Sequence, residues 1–461
     1  MAADRRLASR DIPRAGSDRS RRHGHRVRVA AATPGRRDRH SPDTRYARSA
    51  RRNRGRARMT ASLLVIAPHA DDEILGAGAI MARAAQSGAR IAVVVATNGA
   101  ASDPGRDAET LANTRRDECR AGLEQMLGYV PALLFLDQPD GGLSSTAISP
   151  SRMSALADFV AEVAPDTILV TDPADGHPDH KAAFGLASRI IGSGIGRVLQ
   201  VMPVSQRVDR RFDPTGYDAI AVGDFAERKR AALACHRSQL DPVAGFSLAP
   251  DICDAFTTVE YVRTAYDRLD RSNDAIPAAH FDSLFTQSPD PWRYDSEPYE
   301  RDRFQRTIAA LAGRRYRSAL ELGCANGALT EQFAPLCDRL LATDASQAAL
   351  SAARDRIGAR ANVVLEQRTM PQEMPDARFD LIVASDMLYY LGLDGVVALM
   401  AAIEQSAMPD ARIFLASYLG ETETVITGEM AAEIAIAHLP GWTRIHAERT
   451  ERLRIDVMAR I

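Results

Sequence analysis

The stretch Ser62-Leu63-Leu64-Val65-Ile66-Ala67-Pro68-His69-Ala70-Asp71-Asp72-Glu73 passes without a break from an apolar run to one imidazole and three carboxylates. An apolar run of this length, closed by proline, reads as a buried strand. Open α/β sheets bind their ligands at the carboxyl ends of such strands. A second cluster, Asp175-Gly176-His177-Pro178-Asp179-His180, follows another apolar run, Ile168-Leu169-Val170. Two His/Asp clusters at two strand ends point to a single metal site.

Outward from this stretch, short apolar runs alternate with amphipathic ones. The pattern predicts strands over 62–67, 90–97, 132–137 and 167–172, and helices over 72–87, 108–127, 150–164 and 179–192. Such alternation implies a parallel sheet with helices on both faces. Strands near 197–203 and 218–222 and a helix over 224–238 follow, and the polar stretch 264–279 reads as a linker. A second series begins with a helix over 298–312. It continues with strands at 317–322, 339–343, 362–366, 379–384, 411–417 and 451–460 and helices at 327–335, 346–357 and 394–405. The expected fold class is α/β, with two Rossmann-like domains and mainly parallel sheets, over 59–263 and 280–461.

At 461 residues the chain exceeds what one hydrophobic core supports. Residues 1–58 hold 19 Arg and 5 Asp with no Lys or Glu, although the net charge of the whole chain is only −2. That arm lacks apolar periodicity and stacking aromatics, so disorder is expected and nucleic acid is not an expected partner. No apolar core of a signal peptide follows its arginine pairs, and Met59 reads as a start just ahead of the first strand. No apolar stretch is long enough to span a bilayer. Five scattered cysteines without a CxxC pair argue against a disulfide framework and favour a cytoplasmic setting.

His69 and Asp72, three apart at a strand-to-helix turn, can grip one metal, and His180 supplies a third ligand. Neighbouring residues leaving a strand point in different directions, so Asp71 and Asp72 should not both be ligands. One is left for proton transfer to or from a water acidified by the metal. His177, three before His180, is placed to face a developing oxyanion if protonated. Residues 62 to about 262 resemble the LmbE-like and PIG-L-like N-deacetylases, zinc enzymes acting on N-acetylglucosaminyl groups. The resemblance implies Zn2+ bound by His69, Asp72 and His180, with Asp71 as general base and His177 as the electrophilic histidine. It places Asp179 where a residue tuning that histidine is expected, and Asn98 and Arg115 near the substrate. Thr97-Asn98-Gly99, Arg115 to Glu118, Lys229 and His236-Arg237-Ser238-Gln239 extend the match, and Ala70 departs from the usual proline.

The second series carries Glu321-Leu322-Gly323-Cys324-Ala325-Asn326-Gly327 after a strand and before a helix. Glycines there let backbone approach a ligand, but the spacing is not that of a dinucleotide site. With Asp344 at the end of the next strand, placed for ribose hydroxyls, the set Glu321, Gly323, Ala325, Gly327 and Asp344 fits S-adenosylmethionine. Residues 280–461 resemble the NodS-like N-methyltransferases of chitooligosaccharide signal synthesis. The matching features are His280-Phe281-Asp282, Asp290-Pro291-Trp292, Pro298-Tyr299-Glu300 and Met387-Leu388-Tyr389-Tyr390-Leu391. The resemblance makes Trp292 and Tyr299 candidates for lining the site, and Asp386, after the fourth strand, could orient the accepting amine.

The combined expectation is a bifunctional enzyme that deacetylates an amino sugar or oligosaccharide and then methylates a sugar amine. Two other readings are open: separate substrates in the tailoring of a glycosylated natural product, or a fusion that binds ligands without turnover.

Overall fold

Two seven-stranded sheets carry the chain, and they share one strand order. The computed structural model describes residues 61–143, 148–240, 250–270 and 275–460. The Arg-rich arm 1–58 and Met59 lie outside the described residues. The first sheet holds β1 (Ser62–Ala67), β2 (Arg90–Thr97), β3 (Ala132–Gln138), β4 (Thr167–Thr171), β5 (Val198–Met202), β6 (Asp218–Ala221) and β7 (Val259–Asp267). The second holds β8 (Ala319–Leu322), β9 (Leu340–Asp344), β10 (Val363–Gln367), β11 (Phe379–Ser385), β12 (Ala407–Tyr418), β13 (Thr443–Arg449) and β14 (Leu453–Ala459). Their orders are β3-β2-β1-β4-β5-β7-β6 and β10-β9-β8-β11-β12-β14-β13. Five strands of each are parallel; β7 and β6 in the first sheet, and β14 and β13 in the second, are joined by antiparallel pairings.

Every residue of β1 is buried, because it pairs with β2 on one side and β4 on the other while helices cover both faces. The strand order reverses between β1 and β4, and again between β8 and β11. Crevices open at the carboxyl ends of strands at such reversals. His69 follows β1, His177 follows β4, Gly323 follows β8 and Asp386 follows β11, so both sites lie at these points.

The parallel cores match the sequence reading, as do β6 and β14 at the antiparallel margins, whereas β7 and β13 do not. β7 continues through Asp267, into the stretch read as linker, because Ala265 and Tyr266 are buried in the core. β13 and the helix Gly428–Ala437 were not anticipated, and the helix expected over 224–238 divides into Ala226–Leu233 and Arg237–Leu240.

The helix Pro178–Gly192 begins at the second His/Asp cluster and packs against the helix Gly428–Ala437. Small residues allow the approach: a Cβ on Gly185 would stand 3.1 Å from that of Ala437. Ala183, Phe184, Ala187 and Ile191 share one hydrophobic cluster with Val396, Ala431, Ile434 and Ala435. All described residues belong to one compact unit. Among them, no helix is long and apolar enough to cross a membrane.

Candidate functional site

At the β1/β4 crevice, the turn after β1 folds back on itself: the His69 amide donates to Asp72 Oδ2 at 3.0 Å. The same oxygen lies 3.2 Å from His69 Nδ1 and 3.4 Å from His180 Nε2. His180 owes its orientation to Asp175, whose Oδ2 lies 2.9 Å from Nδ1 and leaves Nε2 facing Asp72. Asp175 is itself held by the amides of Val204, Ser205 and Gln206. A carboxylate behind a histidine in this way fixes its tautomer and raises its basicity as a metal ligand. His69, His177 and His180 bring ring nitrogens within 4.8 Å of one another, and His69 forms a second such group with Asp140 and Asp179.

These residues fit a divalent ion. Two imidazole nitrogens face one buried carboxylate oxygen, a donor set suited to zinc or another borderline metal. Burial opposes the charge of Asp72, yet His180 and His69 beside it hold its carboxyl well below the usual range. Asp71, in the same turn, is buried and pushed up to about 6 by desolvation, against the pull of Arg115.

At the β8/β11 crevice, Gly323 and Gly327 take φ of 72° and 77°, and a Cβ on Gly323 would come within 3.2 Å of Met387. Bare backbone therefore lines the turn. Ala325, with φ of 51°, is held there by its amide bond to Asp344 Oδ2 at 2.9 Å. Glu321 is buried, accepts from Thr330 Oγ1 at 2.6 Å and is pushed by desolvation up to about 8. The Asn326 Oδ1 atom is buried with no hydrogen-bond partner among the described residues. An open turn flanked by two buried carboxylates suits a ligand that carries an amine and hydroxyls.

Residues 64–191 match the family GlcNAc-PI de-N-acetylase (PIG-L), and residues 284–451 match nodulation protein S (NodS). The chain thus carries a PIG-L-like stretch followed by a NodS-like one. Nodulation protein S of Rhizobium tropici is 41% identical over 104 residues, 22% of this chain and 44% of that protein. A 1D-myo-inositol 2-acetamido-2-deoxy-alpha-D-glucopyranoside deacetylase of Kineococcus radiotolerans is 31% identical over 150 residues, 26% of this chain and 41% of that protein. The crystal structure of the N-methyltransferase NodS from Bradyrhizobium japonicum WM9 with S-adenosyl-L-homocysteine has a TM-score of 0.36 at 23% identity, covering 41% of this chain and 99% of that one. The chain spans about half the length of the curated relatives it matches.

In the PIG-L domain, two of the expected residues have well-defined partners. The Asp179 carboxylate does not turn to His177; it meets His69 Nε2 at 3.2 Å and the amides of Gly141 and Leu143. Its backbone N–H donates to His177 Nδ1 at 3.2 Å instead. Arg115, expected near substrate, is 3% exposed, and its guanidinium is taken up by Asp71 Oδ2 and the carbonyls of Ala70 and Gly99. Its reach is inward because the loops of Ala70 and Gly99 close over it. Asn98 accepts from the Ala100 amide and so closes its own turn.

Asp140 and Asp175 are the residues sequence reasoning missed. Asp175 stood within the second cluster, where only its spacing from His180 signalled it, whereas Asp140 reaches His69 Nε2 at 3.1 Å from a loop with no motif. Lys229 forms a fully buried pair with Glu260 and donates to the Leu75 carbonyl. Glu118 accepts from the Ser238 amide and hydroxyl, joining two of the matched motifs.

In the NodS domain, Tyr299 packs edge-on against Tyr418 with ring centroids 5.4 Å apart. Trp292 packs against Phe285 and Tyr294 at 5.4 and 5.9 Å. Asp386 is bound by Arg303, a residue no motif marked.

Proposed function

We propose that the chain removes an acetyl group from an N-acetylglucosaminyl-type amide at the PIG-L site and methylates a sugar amine with S-adenosylmethionine at the NodS site. The observation that carries the first half is the convergence of His69 and His180 on one oxygen of Asp72. The names of the relatives, an acetamido-deoxyglucopyranoside deacetylase and nodulation protein S, support the pairing.

His69, Asp72 and His180 are the residues that would hold a zinc ion. When bound, it supplies Lewis acidity and lowers the pKa of water towards about 7. Asp71 takes the proton of the attacking water, and the bond from Arg115 fixes the oxygen that does so. His177 needs no extra proton to act as donor. Because Nδ1 accepts the Asp179 amide, the neutral ring carries its hydrogen on Nε2. Burial, with His69 and His180 nearby, keeps this ring neutral by lowering its pKa. The Nε2–H donates to the oxyanion that forms as the amide carbon becomes tetrahedral.

At the second site, Glu321 and Asp344 would hold the amine and ribose of S-adenosylmethionine, with Gly323, Ala325 and Gly327 forming the floor. Asp386 orients the accepting amine, and Tyr299 and Trp292 line the approach. Alignment of a neutral nitrogen with the methyl group is the main requirement of such a transfer. The deacetylated amine is then the nucleophile for methylation.

Mass spectrometry of N-acetylglucosamine oligomers, incubated with the full chain, zinc and S-adenosylmethionine, tests the reading. Loss of an acetyl mass followed by gain of a methyl mass on the same oligomer is the expected result. Methylation of the fully acetylated oligomer would overturn the proposed order.

A further inference from the structure

The acceptor end of the NodS site contains an uneven charge set. Arg303 lies on the helix Pro298–Leu311 and is 3% exposed. It donates to Glu300 Oε2 at 2.6 and 2.9 Å and to Ser385 Oγ at 2.5 Å, and its Nε lies 3.2 Å from Asp386 Oδ2. Two carboxylates therefore share one guanidinium. The other oxygen of Asp386, Oδ1, is buried with no hydrogen-bond partner among the described residues. Asp386 takes φ of 53°, unusual for a residue with a side chain, and is held there by donating its amide to the Ala416 carbonyl.

The surroundings are aromatic. The Arg303 guanidinium that holds Asp386 lies over the rings of Phe304 and Tyr294, at 4.5 and 5.8 Å, and Tyr389 and Tyr390, three and four residues beyond Asp386, pack together with centroids 4.6 Å apart. The Tyr418 amide faces the same carboxylate, and Glu423 and Asp290 add negative charge farther out. Arg452 lies over the Tyr299 ring at 4.6 Å. Aromatic faces around an anion are a setting for an organic cation.

We propose that Arg303 is a positioning residue of the acceptor site: it occupies one oxygen of Asp386 and leaves Oδ1 for a substrate that binds as a monocationic amine. The inference rests on the methyltransferase reading above and specifies its substrate class. The bound ammonium first loses a proton to solvent. The nitrogen lone pair then forms the C–N bond as the C–S bond breaks, with its electron pair returning to sulfur. The product is a methylammonium whose charge comes from the sulfonium, so the same carboxylate pairs with a cation before and after transfer.

The test uses the full chain carrying Asp71→Ala, so that acetylated sugar is not converted during the measurement, with chitotetraose deacetylated at one sugar as amine and its fully acetylated form as neutral control. Calorimetry on protein loaded with S-adenosylhomocysteine should show binding of the amine only. Arg303→Gln leaves the pocket more negative but Asp386 unheld, so kcat should fall about tenfold or more with KM unchanged or lower. Asp386→Asn should raise KM by about tenfold or more. Arg303→Lys should restore part of kcat, and S-adenosylhomocysteine affinity should stay within about twofold throughout. The proposal is overturned if Arg303→Gln changes neither constant or raises KM as Asp386→Asn does. It is also overturned if S-adenosylhomocysteine affinity and Tm fall with kcat and lysine restores nothing. A wild-type chain that binds S-adenosylhomocysteine yet methylates no amine removes the methyltransferase reading itself, a different result from failure of the Arg303 pattern alone.

Discussion

Lys181, the residue next to His180, donates to Glu429 Oε1 at 2.6 Å and so ties the start of the helix Pro178–Gly192 to the second sheet's helix Gly428–Ala437. Glu429 also accepts from Arg449 and Arg454, at 3.0 and 2.9 Å. The helix that carries His180 and is capped by His177 is thus braced by the NodS domain. A further polar tie, Tyr266 to Asp394 at 2.6 Å, crosses the same boundary.

Together with the apolar cluster shared across this boundary, the brace should make the two domains unfold together. Lys181→Glu puts a second carboxylate against Glu429 in a half-buried contact, and losing such a charged hydrogen bond costs about 1.5–3 kcal/mol. Calorimetry should show one transition in the wild type and two in the variant. A single unshifted transition in both would refute the coupling.

Metal content separates the roles in the first turn. His69→Ala and His180→Ala should abolish zinc binding, while Asp71→Ala should keep zinc and lose hydrolysis. Asp175→Asn, which acts through His180, should weaken zinc binding by roughly 10–100-fold. Elemental analysis after dialysis reads all four; equal zinc in every variant would remove the ligand assignment.

Lys229 and Glu260 are both fully buried, and Glu260 also accepts the Ala79 and Ile80 amides. Lys229→Met leaves that carboxylate charged and unpaired in the core. A loss of roughly 3–5 kcal/mol is expected from the urea midpoint at neutral pH.

Glu321 gives the NodS domain a pH dependence. Its carboxyl is pushed up to about 8 by burial, against the ordinary value of 4.5. The folded state therefore holds a proton that the unfolded chain releases, so this contribution is complete below about pH 4.5 and declines until about pH 8. Arg303 lowers the folded value and Asp344 raises it. Denaturation of wild type and Glu321→Gln at pH 5, 7 and 9 should show the variant gaining relative stability with pH, on the order of 1–3 kcal/mol in total. A difference that is constant with pH would show that Glu321 does not titrate in this window.

The sequence by itself determined the two parallel cores and the positions of both sites. Strands such as β1, β4 and β11 are buried on both faces, so they must be apolar throughout and stand out from one sequence. Their carboxyl ends then mark where His69, His177, Gly323 and Asp386 emerge. Motif spacing also carried the grouping of His69, Asp72 and His180, because a strand-to-helix turn brings residues three apart together.

Only the tertiary structure decided what these side chains touch. Asp140 and Asp179 reach His69, and Arg303 reaches Asp386, through contacts between loops and helices distant in the chain. β7 and β13 pair antiparallel at the outer side of each sheet, where polar residues such as Glu260 and Arg263 interrupt the apolar pattern. The bond from Lys181 to Glu429 spans 248 positions. No local periodicity records such a pairing, since it exists only once the helices of the two domains have packed against each other.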